Sequence, residues 1–264
     1  MERDYWLRQS AGKPLFPDLA WSRPENKQQA GKLLIIGGNL HGFAAPAEAY
    51  VEAAKAGIGT ARVLLPSALQ KIVGRVLENG EFAPSTPSGS FSQKALEELL
   101  FYGYWADGVL LAGDLGRNSE TAVALEKFLS KMSQAVTITK DAVDYAVSAP
   151  HSVLRRPETL LVLSLSQLQR FGTAAKFPRP VKFSMDLLQL VEWLHDFTLS
   201  VAPYIVVKHL DQLCVAVHGR VSSTKLEHTL QIWRLPVATR ASVWWLQNPG
   251  QPFEAITASI YAGL

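Results

Sequence analysis

Lys32-Leu33-Leu34-Ile35-Ile36-Gly37-Gly38-Asn39-Leu40-His41-Gly42 is the stretch that decides the fold. Its apolar run shows no polar alternation, the pattern of a strand covered on both faces. A glycine-rich turn follows. Pro46 to Lys55 then has helical spacing: a proline suited to a first turn, Glu48 near the amino end, and a stop at Gly57. Strand, turn and helix in this order place backbone donors at the carboxyl end of a parallel strand, where open sheets receive ligands. The plainer reading is a tight turn that needs glycine dihedrals. A dinucleotide fingerprint would require glycine at Asn39, and a phosphate-binding Walker loop would require Gly-Lys-Ser/Thr before the helix. Neither is present.

Working outward, further apolar runs predict buried strands at Thr60–Leu65, Asp107–Leu111, Ala135–Thr139 and Thr159–Leu163. Helical spacing covers Arg117–Met132 and Ser184–Phe197. Alternation of strand and helix predicts an α/β fold: a three-layer αβα sandwich around a mostly parallel sheet. Tyr204–Lys208 and Gln212–Val217, followed by His218-Gly219-Arg220, predict a hairpin that adds antiparallel strands to one edge. Pro84 to Ser90 reads as a surface loop.

With 264 residues and 48% hydrophobic side chains, the chain can bury a large core, and wholesale disorder is excluded. Twenty-six basic against 23 acidic residues leave +3, without a basic face or tail, which argues against a nucleic-acid partner. Cys214 is the single cysteine, so the chain holds no internal disulfide and no thiolate zinc site. A reducing, cytoplasmic setting is the expectation. The chain shows neither a signal-like amino terminus nor an apolar run long enough for a membrane span.

A second glycine turn, Ala112-Gly113-Asp114-Leu115-Gly116-Arg117-Asn118, closes another expected strand. Two such turns on one sheet edge can wall a cleft, with Arg117 able to meet a phosphate. Alternatively, Asn118 or Ser119 caps the next helix and Arg117 is solvated. The six histidines, at 41, 151, 195, 209, 218 and 228, lack the spacing of metal ligands on one helix face, so no metal site is nominated. His195-Asp196 reads as solvated helix surface. Trp233, Trp244 and Trp245 suit core or subunit packing better than base stacking.

Taken together, these segments resemble the ADP/ATP-dependent NAD(P)H-hydrate dehydratases of the ribokinase-like superfamily, the carboxyl-terminal domain family of bifunctional nicotinamide-nucleotide repair enzymes. The resemblance runs from about Gly31 onward. It is firmest over Gly31–Asn39, Ala45-Pro46, Ala53–Gly59, Asp107–Arg117 and Val207-Lys208. It implies a ribokinase-like domain over residues 31–264 with residues 1–30 as an extension packed on it. It also implies a homo-oligomer, ATP or ADP with magnesium entering through its phosphates, and hydrated NAD(P)H as substrate. Ala45, Asp114 and Gly116 would then face the substrate, and Lys208, Thr239 and Ser242 the nucleotide.

The departures bear on chemistry. The family has a late Gly-Gly-Ser/Thr-Gly-Asp turn whose backbone binds phosphate and whose aspartate moves a proton. Here Val237-Ala238-Thr239-Arg240-Ala241-Ser242-Val243-Trp244 is read in its place, putting Trp244 at the aspartate position. An indole cannot exchange a proton near neutral pH. Thr139-Lys140-Asp141-Ala142-Val143 matches the family's Asp-Ala-Asp-Ala-Leu without its first aspartate, leaving Asp141 as a weak catalytic candidate. Leu163 to Gln167 has lost the family's histidine and glutamate, and His209 replaces a glycine. The expectation is a catalytically impaired homologue that keeps nucleotide or partner binding. The alternatives are an active ADP/ATP-dependent dehydratase and a small-molecule kinase of the same superfamily.

Overall fold

The computed structural model describes residues 3–74, 80–226 and 233–263. In chain order the elements are β1 (Trp6–Gln9), α1 (Asp18–Trp21), β2 (Lys32–Gly37), α2 (Ala44–Lys55), β3 (Thr60–Pro66), α3 (Gln70–Val73) and β4 (Gly80–Ala83). Next come α4 (Leu96–Trp105), β5 (Gly108–Gly113), α5 (Ser119–Lys131), β6 (Ala135–Thr139), α6 (Ala142–Ser148), α7 (His151–Leu154) and β7 (Thr159–Leu163). The chain closes with α8 (Leu165–Ala174), α9 (Leu187–Ser200), β8 (Tyr204–His209), β9 (Gln212–Val217), β10 (Arg220–Lys225), α10 (Arg234–Gln247) and α11 (Pro252–Tyr261).

These strands make one sheet in the order β1-β10-β9-β8-β7-β6-β5-β2-β3-β4. From β8 to β4 every neighbour is parallel, while β9 runs antiparallel to both β8 and β10. The expected antiparallel edge is therefore present. It continues through β10 to β1, which pairs with β10 in parallel.

Alternation along each strand divides the core in two. Leu34 and Ile36 of β2 join Leu111, Ile138 and Leu161 beneath α4, α5, α8 and α9. Leu33 and Ile35 join Leu110, Leu160 and Val162 beneath α2, α10 and α11. All four β2 residues are fully buried, and each such side chain contributes about 1.5–3 kcal/mol relative to exposure. Slipping β2 by one residue would exchange the two sets and put each against the wrong helix layer.

Helix boundaries follow local chemistry. Helix α2 opens at Ala44, two residues before the expected Pro46, which still lies in the first turn. Helix α5 starts at Ser119, not Arg117, because the Asn118 side chain accepts the N–H groups of Glu120 and Thr121. Asp186 caps α9 through a reciprocal pair of bonds with Gln189, moving that helix from the expected 184–197 to 187–200.

Candidate functional site on the carboxyl rim of the sheet

The carboxyl ends of β2, β5, β6 and β7 and the start of α10 meet on one rim. Left-handed backbone gathers there: Gly38 (φ 85°), Gly113 (φ 105°), Asp114 (φ 57°), Gly116 (φ 73°) and Lys140 (φ 53°). The β2 and β5 turns press together. A Cβ on Gly37 would lie 2.5 Å from the Gly113 carbonyl oxygen, and one on Gly113 would lie 2.8 Å from Asp141 Oδ1. Both glycines are required by close approach, and Gly113 by its φ as well.

Asp114 organises this corner. Its Oδ2 accepts the Ala45 N–H at 2.7 Å, its Oδ1 faces Lys140 Nζ at 3.1 Å, and its carbonyl accepts from Asn39 Nδ2 at 2.6 Å. Phe43 offers α2 no side-chain cap. The carboxylate of Asp114, 69 residues away in sequence, therefore occupies the electropositive start of the helix. The donor site that an outside anion would use at α2 is filled from within the chain. Of the residues expected to face substrate, Ala45, Asp114 and Gly116 do come together on this rim.

Asp141, at the end of β6, accepts the Gly116 N–H through Oδ2 at 3.2 Å. Its Oδ1 is buried without a hydrogen-bond partner. Burial raises its pKa above the ordinary carboxylate range; the Gly116 N–H opposes that shift and the Asp114 charge adds to it. Tyr145 donates to the Gly116 carbonyl at 2.6 Å and accepts the Asn118 N–H at 3.3 Å, tying the second glycine turn to α6.

The part of the rim around α10 departs from the sequence expectation. Residues 237–244 are not a turn: all lie inside α10, which opens at Arg234. Thr239 is fully buried and donates to Leu235 O at 2.9 Å; Ser242, 2% exposed, donates to Ala238 O at 2.8 Å and shares a hydroxyl–hydroxyl hydrogen bond with Thr137 Oγ1 at 2.7 Å. Both hydroxyls are consumed internally, and neither faces a nucleotide. Trp244 does not stand at the rim either. It packs with Leu19, Ala258 and Phe16 on the outer side of α10, with the Arg23 guanidinium 5.3 Å from its ring centroid. The expectation failed because Val237-Ala238-Thr239 was matched to a lead-in loop, whereas its apolar positions continue a buried helix.

The residues that open the helix are Trp233-Arg234-Leu235-Pro236. From Lys225 to Pro236 the sequence holds neither glycine nor aspartate. Arg234 is the charged group at this point: its Nη1 donates to Gln167 Oε1 at 2.9 Å, and Gln167 Nε2 donates to Lys140 O at 2.7 Å and Asp144 Oδ1 at 3.2 Å. Burial lowers the Arg234 pKa, opposed by the charges of Asp144 and Asp141. Lys208 is the penultimate residue of β8, on the same edge of the sheet. Asn39, Lys140, Tyr145, Gln167 and Arg234 were not nominated from sequence. Only Arg234 carried a local signal, a cation two residues before a proline able to sit in a first helical turn. Among the described residues, no group of three or more His, Cys, Asp or Glu side chains could hold a metal ion.

A mostly parallel ten-stranded sheet between two helical layers, with paired glycine turns on its carboxyl rim, defines a ribokinase-like fold. Solved structures agree. A ribokinase-like superfamily protein from Enterococcus faecalis V583 superposes with a TM-score of 0.72 at 15% identity, covering 99% of this chain and 87% of its own. YxkO of Bacillus subtilis, a member of the UPF0031 family, gives 0.61 at 13% identity over 94% and 86%. The ADP/ATP-dependent NAD(P)H-hydrate dehydratase of Bacillus subtilis, co-crystallised with ATP and Mg2+, gives 0.57 at 12% identity over 90% and 79%. At these identities the likeness establishes the fold. No family model matches the chain, and no curated protein matches it by sequence.

Proposed function

We propose that this protein is a divergent relative of the NAD(P)H-hydrate dehydratases that binds a nucleotide or similar phosphate-bearing molecule on the carboxyl rim and is impaired in turnover. The opening turn of α10 carries this reading. Phosphate held at a helix start needs free backbone N–H groups that the anion can approach closely. Pro236 has no N–H, and Trp233 and Leu235 add side chains where glycines would admit an anion. Arg234 supplies a cation in place of those donors, suited to bidentate contact with phosphate. No carboxylate stands among Trp233 to Pro236 to move a proton. Losing such a group costs about 10²–10⁴ in rate. ATP or ADP would bring magnesium through its own phosphates.

Melting curves with ATP, ADP, AMP and NADH test binding. The expected outcome is a concentration-dependent rise in Tm that Arg234→Gln removes. No rise at millimolar nucleotide overturns the binding reading. Hydrated NADH with ATP or ADP and magnesium tests turnover, and a rate typical of an active dehydratase overturns impairment.

One observation favours an active enzyme: the buried, unpartnered Oδ1 of Asp141, on a carboxyl whose pKa is already raised toward neutrality. If Asp141 is the acid–base group, Asp141→Asn abolishes turnover while nucleotide binding persists. Turnover that survives Asp141→Ala combined with Lys208→Ala belongs to a contaminant.

A further inference from the structure

A second polar concavity lies at the other end of the sheet, on the α9 side, where β1, β10 and β9 meet the start of α9. It is a groove of about 650 Å³, within the range of small-molecule sites. Arg8, Lys13 and Lys225 line it, with Trp6 and Gln212. Among the described residues none of the three cations pairs with a carboxylate; Arg8 lies over the Trp6 ring, 3.8 Å from its centroid. The one acidic lining residue, Asp186, is engaged in capping α9.

Strand register sets one further polar residue beside this lining, a strand further in. Lys225 pairs with Gln212, and Gln212 with His209, so the three form one cross-strand row on one face of the sheet. His209 is 4% exposed, and its Nε2 is buried without a hydrogen-bond partner. An unpaired buried imidazole nitrogen costs about 1–3 kcal/mol. Such a cost is recovered when a ligand supplies the missing bond. Three uncompensated cations and one unused buried nitrogen, in adjoining positions, call for a compact ligand with several acceptor oxygens and more than one negative charge.

We infer that the groove bounded by β1, β9, β10 and α9 is a binding site for a small phosphate-bearing polyanion, held by Arg8, Lys13 and Lys225, with His209 as its inner hydrogen-bonding group. The cations of the site stand apart from the rim, since four strand spacings, about 19 Å, divide β10 from β6, while His209 ends β8 beside β7. The site stands without the nucleotide reading of the rim.

Calorimetric titration with inorganic pyrophosphate tests the inference, and adenosine serves as the arm without phosphate. Pyrophosphate is expected to bind, more weakly as salt is raised, and adenosine is not. Lys13→Glu combined with Lys225→Glu, both on exposed side chains, is expected to weaken binding about tenfold or more. His209→Leu removes the unpartnered nitrogen: it is expected to raise the Tm of the free protein by about 2 °C while weakening pyrophosphate several-fold. A purely structural histidine would not give that opposed pair of effects. Arg234→Gln removes phosphate binding at the rim and is expected to leave the pyrophosphate binding that depends on Lys13 and Lys225. Complete loss of pyrophosphate binding in Arg234→Gln, unchanged affinity in the double lysine variant, or no binding at millimolar pyrophosphate each overturns the inference. ATP binding that disappears with Arg234→Gln while pyrophosphate binding remains supports both sites; the reverse pattern retires the rim reading alone.

Discussion

Two charged residues with buried polar atoms at opposite ends of the parallel strands, Arg156 and Asp141, are treated in opposite ways. At the amino end, Arg156 is 9% exposed and gives all its donors to the protein: the carbonyls of Leu129, Met132, Gln134, Pro157 and Glu158 and the hydroxyl of Thr159. It ties the end of α5 to the starts of β6 and β7. Burial lowers its pKa to about 10, so it remains charged at neutral pH. At the carboxyl end the left-handed residues collect, Asp141 keeps an oxygen unpaired, and Asp114 and Lys140 hold a half-exposed ion pair. A fully satisfied buried charge fixes the framework; an unsatisfied one on a strained rim is open to a ligand.

That contrast can be broken experimentally. The largest effect is expected at the amino end. Arg156→Met removes the shared donor and strands several buried carbonyls, costing about 3–5 kcal/mol in chemical denaturation; a loss below about 1 kcal/mol would mean that Arg156 is peripheral. Next comes Gly113→Ala, which combines a positive φ with a Cβ 2.8 Å from both Asp141 Oδ1 and Lys140 Cβ. A cost of about 1–3 kcal/mol is expected, together with a displaced rim, seen as lost nucleotide-induced stabilisation. Wild-type stability and binding in this variant would show that the rim yields easily.

The smallest effect is at Asp141, and it is a gain. A carboxyl with a raised folded-state pKa binds its proton more tightly when folded, so stability falls as pH rises from the ordinary carboxylate range through the raised value. Asp141→Asn should flatten that decline and raise the Tm at neutral pH, read from melting curves across pH. A steeper decline in the variant would show that the charged form is the one the fold favours, and would remove Asp141 as a proton-holding group.

The parallel framework was open to reading because the central strands are largely apolar on both faces and two of them, β2 and β5, end in glycine, a signal contained within a few residues. Leu33 to Ile36 show it most clearly. The edge strands β1 and β4 and the helix α4 were not expected. β1 and β4 are four residues each and mix polar with apolar side chains, too short for alternation to separate them from loop. On the rim, Ala45, Asp114, Gly116 and Asp141, nominated through the family resemblance, do converge. The α10 region was misplaced by several residues, since a helix rich in Ala, Thr and Ser contains the same letters as a small-residue turn.

From its residues alone, the chain determined a sandwich of two helical layers around buried parallel strands: hydrophobic period and turn chemistry are local and repeat along the sequence. Which polar groups meet was decided only by the tertiary structure. Asp114 reaches Ala45 across 69 positions, Arg234 reaches Gln167 across 67, and His209 shares a row with Lys225 through strand pairing. Such meetings depend on strand order and register, which are set by the simultaneous packing of the whole core and leave no mark at either residue.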